Sequence, residues 1–255
     1  MKIQLIRNAS LWLEYNGVHL FIDPMLGEQG AYPPITNSEN ERRNPLVPLP
    51  GALQQWSQPD VIVLTHLHND HWDAAAMEAL DKQIPVWCQP GDRDRIVERG
   101  FIHVTEISET QQYKGIQLHR TTGHHGTGEI GEKMGNVSGF VFQSEHEPVL
   151  HIAGDTIWCK EVEQALEDYQ PDITIVNAGA AQFVGSDPII MDQYDVQQVC
   201  KHAPDSQIIA VHMEAINHCL LTRKQLADFA EEHGLTEQLV IPQDGDQLEY
   251  TSPRR

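Results

Sequence analysis

The feature that most constrains the fold is a histidine cluster directly after a predicted buried strand. Residues 61–64 read VIVL, and His66, His68, Asp70 and His71 follow within seven positions. Residues two apart on an extended chain point to the same side, so His66 and His68 are placed to converge on one cation. Asp70 and His71 come later, ahead of a predicted helix, where they can serve a second cation. Histidine is the commonest metal ligand, and an unpaired buried carboxylate is costly, so the cluster predicts a metal site rather than a polar loop.

Three further segments place residues of metal-binding type just beyond an apolar run. The segment TTGHHG carries the adjacent histidines His124 and His125 after the strand IQLH. The segment IAGDT carries Asp155, and the strand IIAVH ends at His212. Glycines beside the first two positions allow the backbone to approach a ligand closely. Because four strand ends carry such residues, we expect them to meet around bound metal.

The composition is that of a globular protein and disfavours several classes of partner. Of the 255 residues, 40% are hydrophobic and 21% are charged, which suffices for one large α/β domain or two small ones. The formal net charge is −20, which repels nucleic acid and anionic membrane surfaces at long range. We therefore expect a small-molecule substrate, no nucleic-acid partner and no membrane partner. The sequence is compatible with a homo-oligomer.

The cysteines and the opening segment indicate a cytoplasmic protein. Cys88, Cys159, Cys200 and Cys219 are scattered and form no CxxC pair, so we expect reduced thiols. The opening MKIQLIRNASLWLEY carries charges and lacks the apolar run typical of a signal sequence. No stretch approaches the roughly 20 apolar residues that a membrane-spanning helix requires.

The order of apolar runs and helix signals predicts an α/β fold. Asn16-Gly17 lies between two short apolar runs and is typical of a tight β-hairpin. Strands then alternate with helices, and a similar pattern follows in the second half of the chain. Two face-to-face sheets with outer helices, a four-layer αβ/βα sandwich, fit this order in a single domain over residues 1–255. Residues 26–50 contain five prolines and are predicted to form a long loop, either a lid or a surface excursion.

Together these motifs resemble a known family. HxHxDH, a histidine after a glycine-rich turn, GDT and a strand-ending histidine resemble the ligand series of the metallo-β-lactamase superfamily. The opening RNASLWLEYNGVHLFIDP is similar to that of the branch that includes L-ascorbate-6-phosphate lactonase and other lactamase-B-like hydrolases. The resemblance runs from about Ile3 to about His218 and implies the metallo-β-lactamase fold.

The resemblance also implies a set of metal ligands. His66 and His68 would bind the first metal with a third histidine, Asp70 and His71 would bind the second with His212, and Asp155 would bridge the two. Both His124 and His125 suit the position of the third histidine. The family pattern favours His124 as the ligand, with His125 lining the pocket.

The implied chemistry is hydrolysis with two divalent metal ions, zinc first and manganese or iron as alternatives. Such a pair lowers the pKa of a shared water toward about 7 and supplies hydroxide. Asp70 and Asp155 would take part in catalysis, and His125 and His218 are candidate proton donors, with solvated loop histidines as the alternative. The expected substrate is a small ester, a lactone or a phosphate-containing molecule.

Three alternatives remain open. A nuclease of the same fold is disfavoured by the net charge of −20. An iron oxidoreductase is disfavoured by His68, because di-iron members of the superfamily tend to carry glutamate at that position. A non-enzymatic metal-binding regulator is disfavoured by the complete ligand set.

Around the site, Asp23 is interpreted either as a carboxylate that orients a ligand histidine or as a turn residue.

Overall fold

The computed structural model describes residues 1–251, which form two mixed β-sheets of seven strands each. The first sheet has the order β14-β1-β2-β3-β4-β5-β6. Its strands are β1 (Lys2–Arg7), β2 (Ser10–Tyr15), β3 (Val18–Ile22), β4 (Val61–Val63), β5 (Val86–Cys88), β6 (Val104–Glu106) and β14 (Gln247–Glu249). β14, β1, β2 and β3 pair antiparallel, and β3 to β6 pair parallel.

The second sheet repeats this arrangement, with the order β13-β12-β11-β10-β9-β8-β7. Its strands are β7 (Thr110–Tyr113), β8 (Ile116–Thr122), β9 (Ser138–Gln143), β10 (Leu150–Ile152), β11 (Ile173–Asn177), β12 (Gln207–Val211) and β13 (Leu239–Val240). β7 to β10 pair antiparallel, and β10 to β13 pair parallel.

Helices cover the outer faces of both sheets. They are α1 (Ala74–Ala79), α2 (Arg93–Val97), α3 (Gly128–Met134), α4 (Lys160–Tyr169), α5 (Gln193–His202) and α6 (Arg223–Glu232), with a 3₁₀ helix at Leu53–Trp56. Within residues 1–251, no helix has the length and apolar character needed to cross a bilayer.

The buried apolar residues explain the four layers. One cluster joins the inner faces of the sheets, for example Leu13 and Val63 with Phe142 and Ile175. A second cluster packs α4, α5 and α6 on the outer face of the second sheet, and a third packs α1 and α2 on the outer face of the first. Central strands such as β4, β10 and β11 bury both faces, which stabilises a sandwich of helices and sheets. The predicted αβ/βα sandwich is confirmed.

Local signals in the sequence account for several boundaries. Asn16 and Gly17 have φ of 49° and 70°, the left-handed values that a two-residue hairpin of this type requires. The Asp73 carboxylate accepts a hydrogen bond from the Ala76 N–H at 2.8 Å and caps α1. The sequence did not predict α3, which lies in a glycine-rich segment with no buried face.

Strand ends bring the predicted site residues to one edge of the sandwich. The histidine cluster follows β4, His124 and His125 follow β8, Asp155 follows β10, and His212 follows β12. Gly154, beside Asp155, has φ of 73° and packs so closely on the Ser138 carbonyl that no side chain fits there. The fold therefore positions residues that are far apart in the sequence around one cleft.

Candidate metal centre

Two groups of ligand-type side chains lie side by side at this edge. His66, His68 and His125 form the first group, and their ligand atoms lie within 4.8 Å of one another. The second group consists of Asp70, His71, Asp155 and His212, and their ligand atoms also lie within 4.8 Å of one another. Most of these side chains are buried, whereas His68 and Asp70 are partly exposed. Six of the seven metal ligands predicted from the sequence are therefore brought together.

The exception is the choice between the two adjacent histidines. His125 lies with His66 and His68, whereas the His124 ring is 54% exposed and its Nε2 lies 3.2 Å from Glu161 Oε1. The structure therefore places His125, and not the expected His124, beside His66 and His68. The physical reason is that His125 Nδ1 donates to the Ile189 carbonyl at 2.8 Å, which turns the ring inward. Both ring nitrogens of His125 thus have neighbours, the Ile189 carbonyl at Nδ1 and Asp155 Oδ2 3.5 Å from Nε2.

Asp155 lies between the two groups. Its Oδ2 is 3.2 Å from His71 Nε2, 3.5 Å from His125 Nε2 and 3.8 Å from His66 Nε2. Its Oδ1 accepts a hydrogen bond from Asn177 Nδ2 at 2.6 Å, which fixes the carboxylate plane. One carboxylate therefore faces imidazoles of both groups. Asn177 was not singled out in the sequence, although a polar residue at the end of the buried strand β11 is the signal that identifies it.

Asp23 orients the histidines of the cluster, in keeping with one of its two predicted roles. Its Oδ2 lies 2.8 Å from His71 Nδ1 and accepts the Thr65 hydroxyl at 2.6 Å. Its Oδ1 accepts the Thr65 backbone N–H at 2.8 Å. The Thr65 hydroxyl in turn lies 3.1 Å from His66 Nδ1. Such outer contacts fix the tautomer and direction of a metal-binding imidazole.

His212 has partners that sequence reasoning missed. Cys219 Sγ lies 3.5 Å from His212 Nδ1, where a carboxylate or carbonyl is the common partner of such a ring. Asn8 accepts the His212 backbone N–H at 2.9 Å, and its Nδ2 donates to the Asp70 carbonyl at 2.9 Å. Asn8 therefore holds two segments of the site together.

The backbone around the site is held in an uncommon conformation. Asn8, Asp23, His212 and Glu214 have φ of 58°, 44°, 61° and 63°, in the left-handed region that non-glycine residues rarely adopt. Residues held there cost roughly 1–3 kcal/mol each and persist where the surroundings over-determine them. Asn8 and Asp23 contact members of the two ligand groups, and His212 belongs to one of them.

Electrostatics favour cations in the second group. Burial by itself raises the pKa of Asp70 and Asp155, but the nearby His71 and His212 hold both values well below the ordinary range. Burial lowers the pKa of His71, yet Asp155, Asp23 and Asp70 raise it to about 10. The pKa of His212 is raised well above its ordinary value, chiefly by Asp155 against the effect of burial. The group is thus rich in negative charge that attracts a cation, which binds in place of protons.

The first group offers neutral imidazoles. Burial lowers the pKa of His66 well below its usual value and also lowers that of His125, so both rings are neutral at pH 7. Within the described part of the chain, the buried His66 Nε2 has no hydrogen-bond partner. Imidazole nitrogens with carboxylate oxygens form a donor set that zinc, manganese and iron accept. The residues present therefore fit a pair of divalent cations.

Comparison with known proteins decides the family. A family model described as "Beta-lactamase superfamily domain" matches residues 19–213, which include both ligand groups. The chain belongs to the metallo-β-lactamase superfamily. The resemblance seen in the motifs is therefore confirmed.

Relatives within the superfamily are similar over nearly the whole chain. UPF0173 protein YddR of Bacillus subtilis (strain 168) is 38% identical over 98% of this chain and 100% of its own length. The crystal structure of isothiocyanate hydrolase from Delia radicum gut bacteria has a TM-score of 0.95 at 36% identity and covers 99% of this chain and 100% of that one. The crystal structure of a possible metal-dependent hydrolase from Veillonella parvula DSM 2008 has a TM-score of 0.94 at 32% identity, with coverage of 97% and 98%. These similarities confirm the prediction that the protein is a metal-dependent hydrolase.

Two cavities border the candidate metal centre. One of about 240 Å³ is lined by His66, His68, Asp92 and Arg95. The other, of about 640 Å³, is lined by His125, His124, Arg120 and Glu132 among others. Gln89, Pro90, Gly135 and Asn136 line both, so the segment after α3 lies between them. A small molecule has room beside the first ligand group.

The proline-rich segment 26–50 lies over the chain that follows His212. Asn217 Oδ1 accepts the Ile35 backbone N–H and Asn44 Nδ2, both at 2.8 Å. Asn217 Nδ2 donates to the Ile35 carbonyl at 3.0 Å, the Ser38 hydroxyl at 2.5 Å and the Asn40 carbonyl at 2.8 Å. One buried amide thus ties several points of the segment to the edge of the site.

His218, the other predicted proton donor, lies next to this amide. Its ring is nearly buried, and its Nδ1 has no hydrogen-bond partner among residues 1–251. Burial lowers its pKa, but the contact with Cys219 and the charge of Asp70 raise it above the usual value. Trp72 is fully buried in the core against Phe101.

Proposed function

We propose that the protein hydrolyses a small molecule at an electrophilic carbon, with two divalent cations as cofactors. His66, His68 and His125 would hold the first cation. Asp70, His71 and His212 would hold the second. Asp155 would contact both. Zinc is the first candidate, with manganese and iron as alternatives, because imidazoles dominate the set and carboxylates complete it.

The observation that carries the proposal is the position of Asp155 between the two ligand groups. Its Oδ2 lies within 4 Å of imidazole nitrogens from both, at 3.2 Å from His71 Nε2 and 3.5 Å from His125 Nε2. A carboxylate shared in this way is suited to fix the spacing of two adjacent cations. When bound, such cations lower the pKa of a shared water toward about 7 and polarise an electrophilic group.

The chain's own residues complete the mechanism. Asn177 keeps the Asp155 carboxylate in one plane, and Asp23 keeps His71 in one tautomer. His218 is the proposed proton donor, because its Nδ1 is unengaged within the described residues and its raised pKa keeps a proton available near neutrality. A proton donor of this kind assists the leaving group when the substrate is not strained.

The substrate class rests on the neighbouring proteins and on the cavities. An isothiocyanate is the first candidate, because the solved structure at 36% identity is named isothiocyanate hydrolase. Small esters and lactones share its electrophilic carbon and are the next candidates. Arg120 and Arg95 line the two cavities and offer positive charge to a phosphate-containing small molecule. Residues 26–50 are proposed as a lid over this site, because Asn217 holds them beside it.

Metal analysis combined with an activity panel tests the proposal. We expect two equivalents of divalent metal at the inner ligand groups, loss of activity after chelation, and recovery when zinc, manganese or iron is returned. The panel contains an isothiocyanate, a lactone, an ester, a phosphodiester and RNA. Asp155→Asn should lower activity by about 100-fold or more, as expected when a group at the reacting centre is removed. Full activity after exhaustive metal removal, or turnover of RNA alone, would contradict the proposal.

A further inference from the structure

A third cluster of metal-ligating side chains lies outside the metal centre. His124, Cys159 and Glu161 bring one imidazole nitrogen, one sulfur and one carboxylate oxygen within 4.8 Å of one another. His124 comes from the loop after β8, Cys159 is the residue before α4, and Glu161 lies in the first turn of that helix. The proposed function uses none of these three side chains.

The three ligand types form a consistent donor set. A thiolate, an imidazole and a carboxylate are the ligands that zinc accepts in proteins, whereas magnesium and calcium prefer oxygen alone. Atoms about 2.0–2.3 Å from a tetrahedral zinc ion lie roughly 3.3–3.8 Å from one another. The three atoms lie within 4.8 Å of one another, so side-chain movements of about an ångström would bring them to zinc-binding distances. His124 Nε2 and Glu161 Oε1 are already 3.2 Å apart.

The backbone supports the cluster from both sides. The His124 N–H donates to the Thr156 hydroxyl at 2.9 Å, and the Ile157 N–H donates to the His124 carbonyl at 2.9 Å. The loop that carries His124 is thus joined to the segment that leads into Cys159. Both side chains are at least partly exposed, so a cation can reach them from solvent.

We propose that His124, Cys159 and Glu161 form a third site for a zinc-class divalent cation, separate from the inner pair. Three protein ligands leave one position open to solvent or to a small molecule at the mouth of the 640 Å³ cavity, which His124 lines. Binding forms a metal–sulfur bond and releases the Cys159 thiol proton to water. The cation would join the segments that precede His125 and follow Asp155, so its occupancy would stabilise both.

A neighbouring pair on the same helix provides a matched control. Glu163 lies two residues after Glu161, also in the first turn of α4. Its Oε1 lies 3.3 Å from His202 Nε2. This pair has a histidine and a glutamate at nearly the same separation, but it is not part of a three-ligand group among the described residues. Glu161→Gln and Glu163→Gln therefore make the same chemical change on the same helix turn.

The experiment uses the full chain and Co²⁺ as the probe. Equilibrium dialysis followed by elemental analysis counts the bound equivalents, and a near-ultraviolet thiolate-to-cobalt band reports a sulfur ligand. We expect three equivalents in the wild type, two in Cys159→Ser and Glu161→Gln, and three in Glu163→Gln. The band that grows with the third equivalent should disappear in Cys159→Ser. Serine is a favoured residue before a helix, so this variant keeps its fold, and Glu161→Gln provides an independent second test.

The number of bound Co²⁺ equivalents tests the third site. Two equivalents in the wild type that both remain in Cys159→Ser, or three in both Cys159→Ser and Glu161→Gln, would overturn the third site. If the two inner ligand groups bound no cation, the result would differ. The wild type would then bind a single equivalent, and Cys159→Ser would bind none. The third site and the proposed hydrolase function therefore fail in distinguishable ways.

Discussion

Oδ2 of Asp23 lies 2.8 Å from Nδ1 of His71, and both side chains are fully buried. This contact leaves His71 Nε2 directed at Asp155, 3.2 Å away. Asp23 itself is held in a left-handed conformation with φ of 44° just after β3. The carboxylate therefore links the first sheet to the direction of one imidazole at the metal centre.

The first prediction removes this charge. Asp23→Asn keeps the shape but loses the carboxylate that fixes the His71 tautomer, so we expect metal affinity or activity to fall by about 10–100-fold. Metal content after dialysis and kcat measure the effect. Asp60→Asn is the control, because Asp60 is partly exposed and contacts Lys114 and His19 away from the site. Equal values for Asp23→Asn and wild type would refute the orienting role.

The second prediction separates the two adjacent histidines. His125→Ala removes a member of the first ligand group, so we expect loss of one inner metal equivalent and nearly all activity. His124→Ala removes a ring that is 54% exposed and faces Glu161, so both inner equivalents and most activity should remain. Metal analysis after treatment with a weak chelator, followed by kcat, distinguishes them. The reverse pattern would show that His124 is the ligand.

The third prediction concerns the pH dependence of stability. His151 is fully buried in β10, and burial lowers its pKa from 6.5 to about 4. Between these values the unfolded chain binds a proton that the native protein does not. The free energy of unfolding therefore falls as pH drops from about 6.5 to about 4, by up to about 3 kcal/mol, and this contribution is constant above pH 6.5.

Denaturation by urea at pH 7 and pH 4.5, with chelator present throughout, measures this effect. The difference between the two pH values should be smaller in His151→Gln than in the wild type. His19→Gln provides the control, because the side chain of His19 is about half exposed. If His151→Gln showed the same difference in unfolding free energy between the two pH values as the wild type, His151 would not be the cause of the pH dependence.

The fourth prediction tests the proposed lid. Asn217→Ala removes the amide that binds four residues of segment 26–50, and leaving their polar groups unpaired costs about 1–3 kcal/mol. We expect faster proteolysis within residues 26–50 and a changed KM. Gln29→Ala is the control, because Gln29 makes an exposed contact to the Leu46 carbonyl in the same segment. A variant with wild-type proteolysis, KM and kcat would contradict the lid.

Short sequence patterns predicted much of the candidate metal centre. The motif of His66, His68, Asp70 and His71 after a buried strand predicted a metal site, and the fold brings these four side chains to one edge. Asp23 was identified as a candidate orienting carboxylate from its place after a strand. Asn177 was missed because it meets Asp155 only across neighbouring strands, and Cys219 was missed because the chain folds back on His212, seven residues earlier, through a turn that has no recognised pattern.

The sequence by itself determined the alternation of strands and helices, the Asn16-Gly17 hairpin, the cap at Asp73 and the superfamily. These features depend on local backbone preferences and on the period of apolar residues, which neighbouring positions specify. The tertiary structure alone decided that His125 rather than His124 joins His66 and His68. The direction of each ring depends on contacts from distant segments, the Ile189 carbonyl for one and Glu161 for the other, and such contacts exist only once the two sheets have packed.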